Sequence, residues 1–465
     1  MPGLYATLNN TVKALSAHSR AIEIAGKNLA NVNNPDYARQ RILYGDRGSV
    51  KTPQGAESLG LEALAIQQLR DPLIDRQVMR EIALKSSFTA EQQADQRAQA
   101  ALGQSIDRAD ANGSSNGVGA ALDDLFNAFQ SLAASPTDTG ERQVLLQKAN
   151  ILTDRLRQTD GRLAQVQSDI GAGITSNVSD ANALLNSIAG LNAQIGRLEI
   201  NQAGGAVDLR DQRQAQIEKL AAFLPIETRD TGNGQVQVVV KDATNTDIVL
   251  VNLATVTGPV VFTGTGLTAG ASATAVALTG GSIHGALAAR DGAVQTLRDN
   301  LDTLAAQVVA SVNGAYNPTN TTGNFFTAGG TTAATISVQA GLTAATIKAS
   351  DGGPAGDNTI ATAVAALATK KFAIASGNPF DGTFSQFFAS TVSNLGQALD
   401  SANQRVTDQE NITKLVTQQR DTVSGVSLDE EMADLVRFQR AYQASSRVFS
   451  VVDDLLDTVV NHLGV

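Results

Sequence analysis

The chain has 465 residues, a formal net charge of −10, three histidines, and neither cysteine nor tryptophan. That length supports more than one domain with ample core. The acidic balance and the absence of a basic patch argue against nucleic-acid binding, and the missing cysteines exclude disulfides and thiolate metal sites. No apolar run reaches the ~20 residues that a membrane span needs. The start, Met1-Pro2-Gly3-Leu4-Tyr5, has neither the basic nor the apolar segment of a cleaved secretory signal. The expectation is a cytoplasmic protein, or one exported without cleavage.

Leu4, Leu8, Val12, Leu15, Ile22, Ala25, Leu29 and Val32 recur at helical spacing and predict a first helix over residues 4–32. Asn33-Asn34-Pro35-Asp36 is a turn cluster that ends it, because the residue before a proline is pushed out of the helical region. Residues 41–70 read as short extended pieces, and 76–106 as a helix. Residues 112–117 read as a loop. Leu122, Leu125, Phe129 and Leu132 mark one helix face, and Pro136 and Gly140 break the pattern. A helix from Glu141 runs through Ile170. From Ala181 to Leu198 the apolar steps alternate between three and four. A bundle of long antiparallel helices is the natural reading.

After a short helix at 208–223 the period changes to two. Residues 236–240 and 248–251 are predicted strands, and 257–281 holds more short ones. Helix returns at 283–312. Residues 317–356, rich in Thr, Asn, Gly and Ala, read as a small β insertion with Ile336, Val338 and Ile347 at strand centres. Helices follow at 360–375 and 384–422.

The last stretch starts at Ser427, which with Glu430 reads as a capping-box pair, and runs to Leu463 without proline or glycine. Leu428, Met432, Leu435, Tyr442, Phe449, Val452, Leu456, Val459 and Leu463 form a seam with one slip between Tyr442 and Phe449. Exposed, such a seam would forfeit roughly 1.5–3 kcal/mol per large side chain, so the helix needs a partner. The first helix is the expected one.

The fold class is therefore mainly α with β insertions. The N- and C-terminal helices pair as a coiled coil. Three regions are expected: 1–60 with 420–465 as a terminal domain, 61–316 with 375–419 as a helical bundle containing a β-rich segment at 225–282, and 317–374 as the small insertion.

Candidate chemistry is sparse. His18, His284 and His462 show no ligand spacing, and Asp123-Asp124 and Asp453-Asp454 are neighbours that diverge by about 100° on a helix, so they read as solvated faces. Gly264 to Gly270 lacks the lysine and the βαβ setting of a phosphate loop and reads as a β turn. No catalytic, metal or cofactor site is expected. The densest polar constellation is Asn28, Asn31, Asn33, Pro35, Tyr37, Arg39 and Gln40. One reading is a helix stop before a strand; the other is a contact loop between subunits.

Ala30-Asn31-Val32-Asn33-Asn34-Pro35-Asp36-Tyr37-Ala38-Arg39-Gln40 behind an amphipathic helix resembles the signature of bacterial flagellar axial proteins. Ser424 to Met432 and Arg440-Ala441-Tyr442-Gln443-Ala444 resemble the matching C-terminal end. Asp208-Leu209-Arg210-Asp211-Gln212-Arg213, Gly280-Gly281-Ser282-Ile283 and the helices at 120–200 resemble the hook-associated protein 1 family. The resemblance implies a non-enzymatic adaptor at the junction of hook and filament, outside the cell, exported by the flagellar type III apparatus without signal cleavage. It implies a ring of identical subunits joined through the terminal seams. The implied partners are hook protein, hook-associated protein 3 and an export chaperone at the C-terminal helical region; nucleic acid and membrane insertion are not expected. Alternatives are another axial protein (hook, distal rod or hook-associated protein 3) or a cell-wall hydrolase attached to the axial structure.

Overall fold

The computed structural model describes residues 2–46, 49–52, 55–58, 61–103, 117–200, 204–321 and 323–462. Helices dominate them, with four small antiparallel sheets. The chain divides into two compact units. The first is residues 1–86, 178–281 and 409–465; the second is 87–177 and 282–408.

In the first unit, helix α1 (Pro2–Ala30) leads through a turn to strand β1 (Gln40–Asp46). Strands β2 (Ser49–Thr52) and β3 (Gly55–Ser58) pair with each other, and β4 (Leu61–Gln68) returns antiparallel to β1, with a bulge after Leu43. Helix α2 (Pro72–Leu102) follows, shared between the units at residue 86, its proline at the first helical position, where no amide donor is lost. Helix α10 (Leu428–Asp457) packs along α1. Asn28 near the end of α1 touches Glu431 in the first turn of α10, so helices that pack along their length from there must run antiparallel. A π turn, Thr458–His462, extends α10; the predicted seam residue Leu463 lies outside the described residues.

The same unit holds a four-stranded sheet of β5 (Glu227–Gly232), β6 (Gln235–Lys241), β7 (Asp247–Asn252) and β8 (Thr255–Val256) in sequential order. Three shorter strands, β9 (Val261–Phe262), β10 (Leu267–Ala269) and β11 (Thr274–Ala275), form a meander. Asn192 ties the sheet down. Fully buried, its amide donates to the carbonyls of Val236 and Leu253, both at 2.7 Å. Helix α5 (Val207–Ala221) supplies Arg213, which donates 2.8 Å to Asn192 Oδ1.

The second unit is built on α3 (Val118–Ala134), the first half of α4 (Thr139–Glu199), α6 (Ser282–Ala289), α7 (Gln295–Tyr316), α8 (Thr359–Ala365) and the first part of α9 (Phe384–Ser424). Phe129, Phe325, Phe326 and Tyr316 are fully buried, with adjacent ring centroids 5.0 to 5.3 Å apart in edge-on or tilted geometry. Gly285 lets α6 approach α2 closely: a Cβ there would stand 1.9 Å from the Ser87 carbonyl oxygen.

Three differences from the sequence reading have physical causes. The helical patterns at 141–170 and 181–198 are one helix of 61 residues. Gly161, Gly171 and Gly173 sit inside it, where each costs about 1 kcal/mol of propensity without stopping the helix.

Among the described residues of 317–374 there is no strand; Phe326 and Val338 form an isolated bridge, and Phe372 forms another with Gly382. Ile336 and Ile347 are instead buried tails of two alike turns. Each carries Ala-Ala-Thr-Ile, at 333–336 and 344–347. Thr332 and Thr335 hydroxyls lie 2.6 Å apart and those of Thr343 and Thr346 3.1 Å apart. The amides of Ile336 and Ile347 each donate 2.9 Å to the threonine carbonyl four residues back. Threonine hydroxyls compete well for local backbone partners, which favours turns over ladders.

Ser427 is the N-cap residue of α10, but its hydroxyl makes no capping bond. The expected capping partner, Glu430, is held by Arg39 from the other end of the chain.

Candidate functional site

Asn31 and Asn34 close α1 with turn bonds: Asn34 N–H donates 2.9 Å to the Asn31 carbonyl, and Tyr37 N–H 3.2 Å to that of Asn34. The turn brings Tyr37, Arg39 and Gln40 back beside the last turn of α1. There Asn28, 1% exposed, becomes a hub. Its Nδ2 donates 2.9 Å to the Gln40 carbonyl and 3.0 Å to Glu431 Oε2. Its Oδ1 accepts from Gln40 N–H at 3.0 Å and from the Tyr37 hydroxyl at 2.7 Å. Both donors and both lone pairs of the amide are used, as a buried amide requires.

Arg39 fastens the other terminus. Its Nη1 donates 2.6 Å to Glu430 Oε2, its Nε lies 2.6 Å from Glu431 Oε1, and Nη2 stands 3.9 Å from Asp434. Its backbone amide donates 2.9 Å to the Ser424 carbonyl, pinning the end of α9. Gly425, one residue on, lies where a Cβ would come within 2.3 Å of the Asp421 carbonyl oxygen.

A second ring of charge ties the motif to α5. Asp208 accepts from Lys27 Nζ at 2.7 Å and from Gln40 Nε2 at 3.0 Å. Asp211 accepts from Arg70 at 2.7 Å. Arg420 of α9 meets Glu218 of α5 at 2.9 Å. Burial pushes the Tyr37 phenol up, and the nearby carboxylates of Asp211, Asp208 and Glu431 push it further, so it stays a neutral donor. Burial raises Asp211, although Arg70 opposes it. Asp208 is also partly desolvated, yet the Lys27 and Gln40 hydrogen bonds and the Lys27 charge hold it below the usual carboxylate range. The arrangement fastens chain segments; it offers no free nucleophile or base. A groove of about 490 Å³ opens beside it, lined by the Asn31–Pro35 turn, Arg39, Arg420 and the 421–427 linker.

Of the predicted contact residues, Asn28, Tyr37, Arg39 and Gln40 therefore meet in the buried junction. Asn31, Asn33 and Pro35 line the groove. Sequence reasoning missed Glu431, 3% exposed, because an acidic first turn reads as a solvated helix start. Lys27, Arg70 and Arg420 were missed too, and Asp208 and Asp211 entered only as part of a family-like stretch. Asp208 and Asp211 are three apart in a helix, a spacing that puts both on one face and was the available signal.

The terminal seams are only partly covered. On α1, Leu4, Leu8, Leu15, Ile22 and Leu29 are half-buried, and Val12 is exposed. The covered face is Thr11, Ala17, Ala21, Ile24, Ala25 and Asn28. On α10, Val452 and Leu456 are buried, and Leu435, Phe449 and Val459 are half-buried. Leu428, Met432 and Tyr442 are exposed; Phe438, Ala441 and Ser445 take the inner positions, which removes the apparent slip.

Elsewhere, His284 Nδ1 lies 2.9 Å from Ser87 Oγ, and His18 is half-buried in α1. Asp124 pairs with Lys148 at 2.7 Å. The Gly264–Gly270 stretch includes the turn between β9 and β10, where Thr263 N–H donates 2.9 Å to the Gly266 carbonyl. Among the described residues there is no group of three side chains able to hold a metal ion, and no helix is long and apolar enough to cross a membrane.

The relatives of this chain are axial structural proteins of the bacterial flagellum. Residues 104–326 match the family described as flagellar hook-associated protein FlgK helical domain, and residues 417–462 match flagellar basal body rod FlgEFG protein C-terminal. The chain carries the helical domain of the first of these families and resembles flagellar hook-associated protein 1 along its whole length. It is 26% identical to flagellar hook-associated protein 1 of Bacillus subtilis, over 100% of this chain and 99% of that one. The protein of that name from Escherichia coli is 25% identical over 47% of this chain and 39% of its own length. The flagellar hook junction protein FlgK from Burkholderia pseudomallei has the same fold, with a TM-score of 0.60 at 14% identity over 75% of this chain and all of that one.

Proposed function

We propose that the protein is an adaptor subunit joining the flagellar hook to the filament. It leaves the cell through the flagellar type III apparatus without signal cleavage and assembles as a ring of identical subunits through its terminal helices. Hook protein and hook-associated protein 3 are its neighbours, and an export chaperone holds the C-terminal helical region beforehand. Residues 1–60 with 420–465 serve as the assembly region, 61–316 with 375–419 as the body, and 317–374 as a small insertion.

The observation that carries this reading is the outer face of α10. Leu428, Met432, Val436, Val448, Val451 and Leu455 are each 43% to 58% exposed, although α1 already covers the inner face. They fall in two groups, 428–436 on one flank of the helix and 448–455 on the other, and clustered exposed apolar side chains mark a protein contact. A surface that meets a different surface on the next copy generates a ring or a helical array. The name of the Burkholderia protein supports the junction in particular.

Matched deletions of residues 4–32 or 428–463 in a motile host test it. The expected outcome is a folded middle, no attached filament and flagellin shed into the medium. Normal motility with attached filaments would reject the terminal helices as the junction contacts.

A further inference from the structure

The seam between α1 and α10 contains little that distinguishes one alignment from another. Ala17, Ala21 and Ala25 are its covered small residues on α1, spaced by four. Sliding α1 by one turn therefore puts alanine where alanine was. On α10 the facing positions include Ala441 and Ser445, also small and four apart. Such a slide moves the helix about 6 Å and displaces one large covered side chain of α1, Ile24, while the alanines exchange places.

The polar end is different. Glu431 is the most deeply buried residue of α10 and faces Asn28, whose four hydrogen-bonding positions are all filled. A one-turn slide would separate the pair and leave a carboxylate and an amide covered without partners, which is far more costly than misplacing alanines.

We infer that Asn28 and Glu431, braced by Arg39, form a register lock: they set the axial alignment of the terminal helices that the alanine seam leaves open. Buried polar residues fix register in this way in other helix pairs, at some expense of stability. The inference concerns pairing within one chain and does not depend on the proposed assembly.

The absence of cysteine makes the test clean. Ser19→Cys and Ser446→Cys, both at exposed positions, carry spin labels on the full chain, and the interlabel distance distribution is measured. The parent should give one distance. Asn28→Leu/Glu431→Leu should keep its helical circular dichroism yet show a second population displaced by about 6 Å, one helical turn. A single distance unchanged from the parent would overturn the lock and leave register to the linkers. If the double variant loses helix content, Asn28→Ala decides in the same way, since it keeps the Arg39–Glu431 pair: a second or broadened population supports the lock, and an unchanged distance rejects it.

Discussion

Helices α3 and α10 solve the same problem to different depths. Of the 17 residues of α3, eight are buried, and its phenylalanines meet other rings inside the second unit. Of the 30 residues of α10, only Glu431, Val452 and Leu456 are buried. The first helix is completed by its own chain. The second is fastened at one end by charge and leaves an apolar face open. Stability in the α3 region is therefore expected to follow packing, whereas α10 answers to a few polar contacts and to whatever covers its outer side.

The largest effect should come from the packed region. Phe129→Ala removes a ring that lies 5.1 Å from Phe325 in a site without solvent. A loss of about 3–5 kcal/mol is expected in denaturant unfolding. A loss below ~1 kcal/mol would mean that the aromatic cluster relaxes easily and that the contrast with α10 is false.

Glu431→Ala should come next, at roughly 2–3 kcal/mol, because it strips a partner from Asn28 and from Arg39, while Glu430 still holds the guanidinium. The loss should be local. Hydrogen exchange should accelerate in α1 and the first turns of α10 and stay unchanged in α3. Equal acceleration in both would show that the two regions unfold as one.

A smaller and opposite effect is expected at Asp95, 2% exposed in α2. Burial and the neighbouring Glu91 push its carboxyl up to about 6, against the pull of Arg405. The folded state then holds a proton that the unfolded state has released, so stability falls as pH rises from about 4 to about 6 and stays lower above that. Asp95→Asn should raise stability at pH 7 by about 1–2 kcal/mol and flatten that slope. Thermal melts across pH 4 to 8 would read both.

The smallest effect on the isolated chain belongs to the outer face. Val451→Asp with Leu455→Asp should change unfolding free energy by less than about 0.5 kcal/mol, since exposed sites rarely matter to folding. The same pair should abolish swimming in a complemented host. Wild-type motility would place the assembly contact elsewhere.

The element types at both ends were legible from periodicity and turn chemistry. The phase of α1 was not. Its large residues, Leu4, Leu8, Val12 and Leu15, suggested the buried stripe, but two helix backbones that approach closely cover alanines and push bulky side chains to the flanks. Hydrophobicity scores size; close packing selects shape. Glu431 was hidden for a related reason: nothing local tells an acidic first turn in water from one that meets an asparagine about 400 positions away. Asn28, Tyr37, Arg39 and Gln40 could be found because their spacing matches a known signature. Their partners Glu430, Glu431 and Asp208 also lie in family-like stretches, but no stretch says which residue meets which.

The paired threonine turns of the insertion bear on heredity. Each is a short plug whose shape is written in its own residues, Thr332 to Ile336 and Thr343 to Ile347. Because neither belongs to a ladder, no strand register has to be preserved when one is gained or lost. A slip during DNA copying that repeats or drops such a plug would lengthen or shorten the segment and spare the helices on either side.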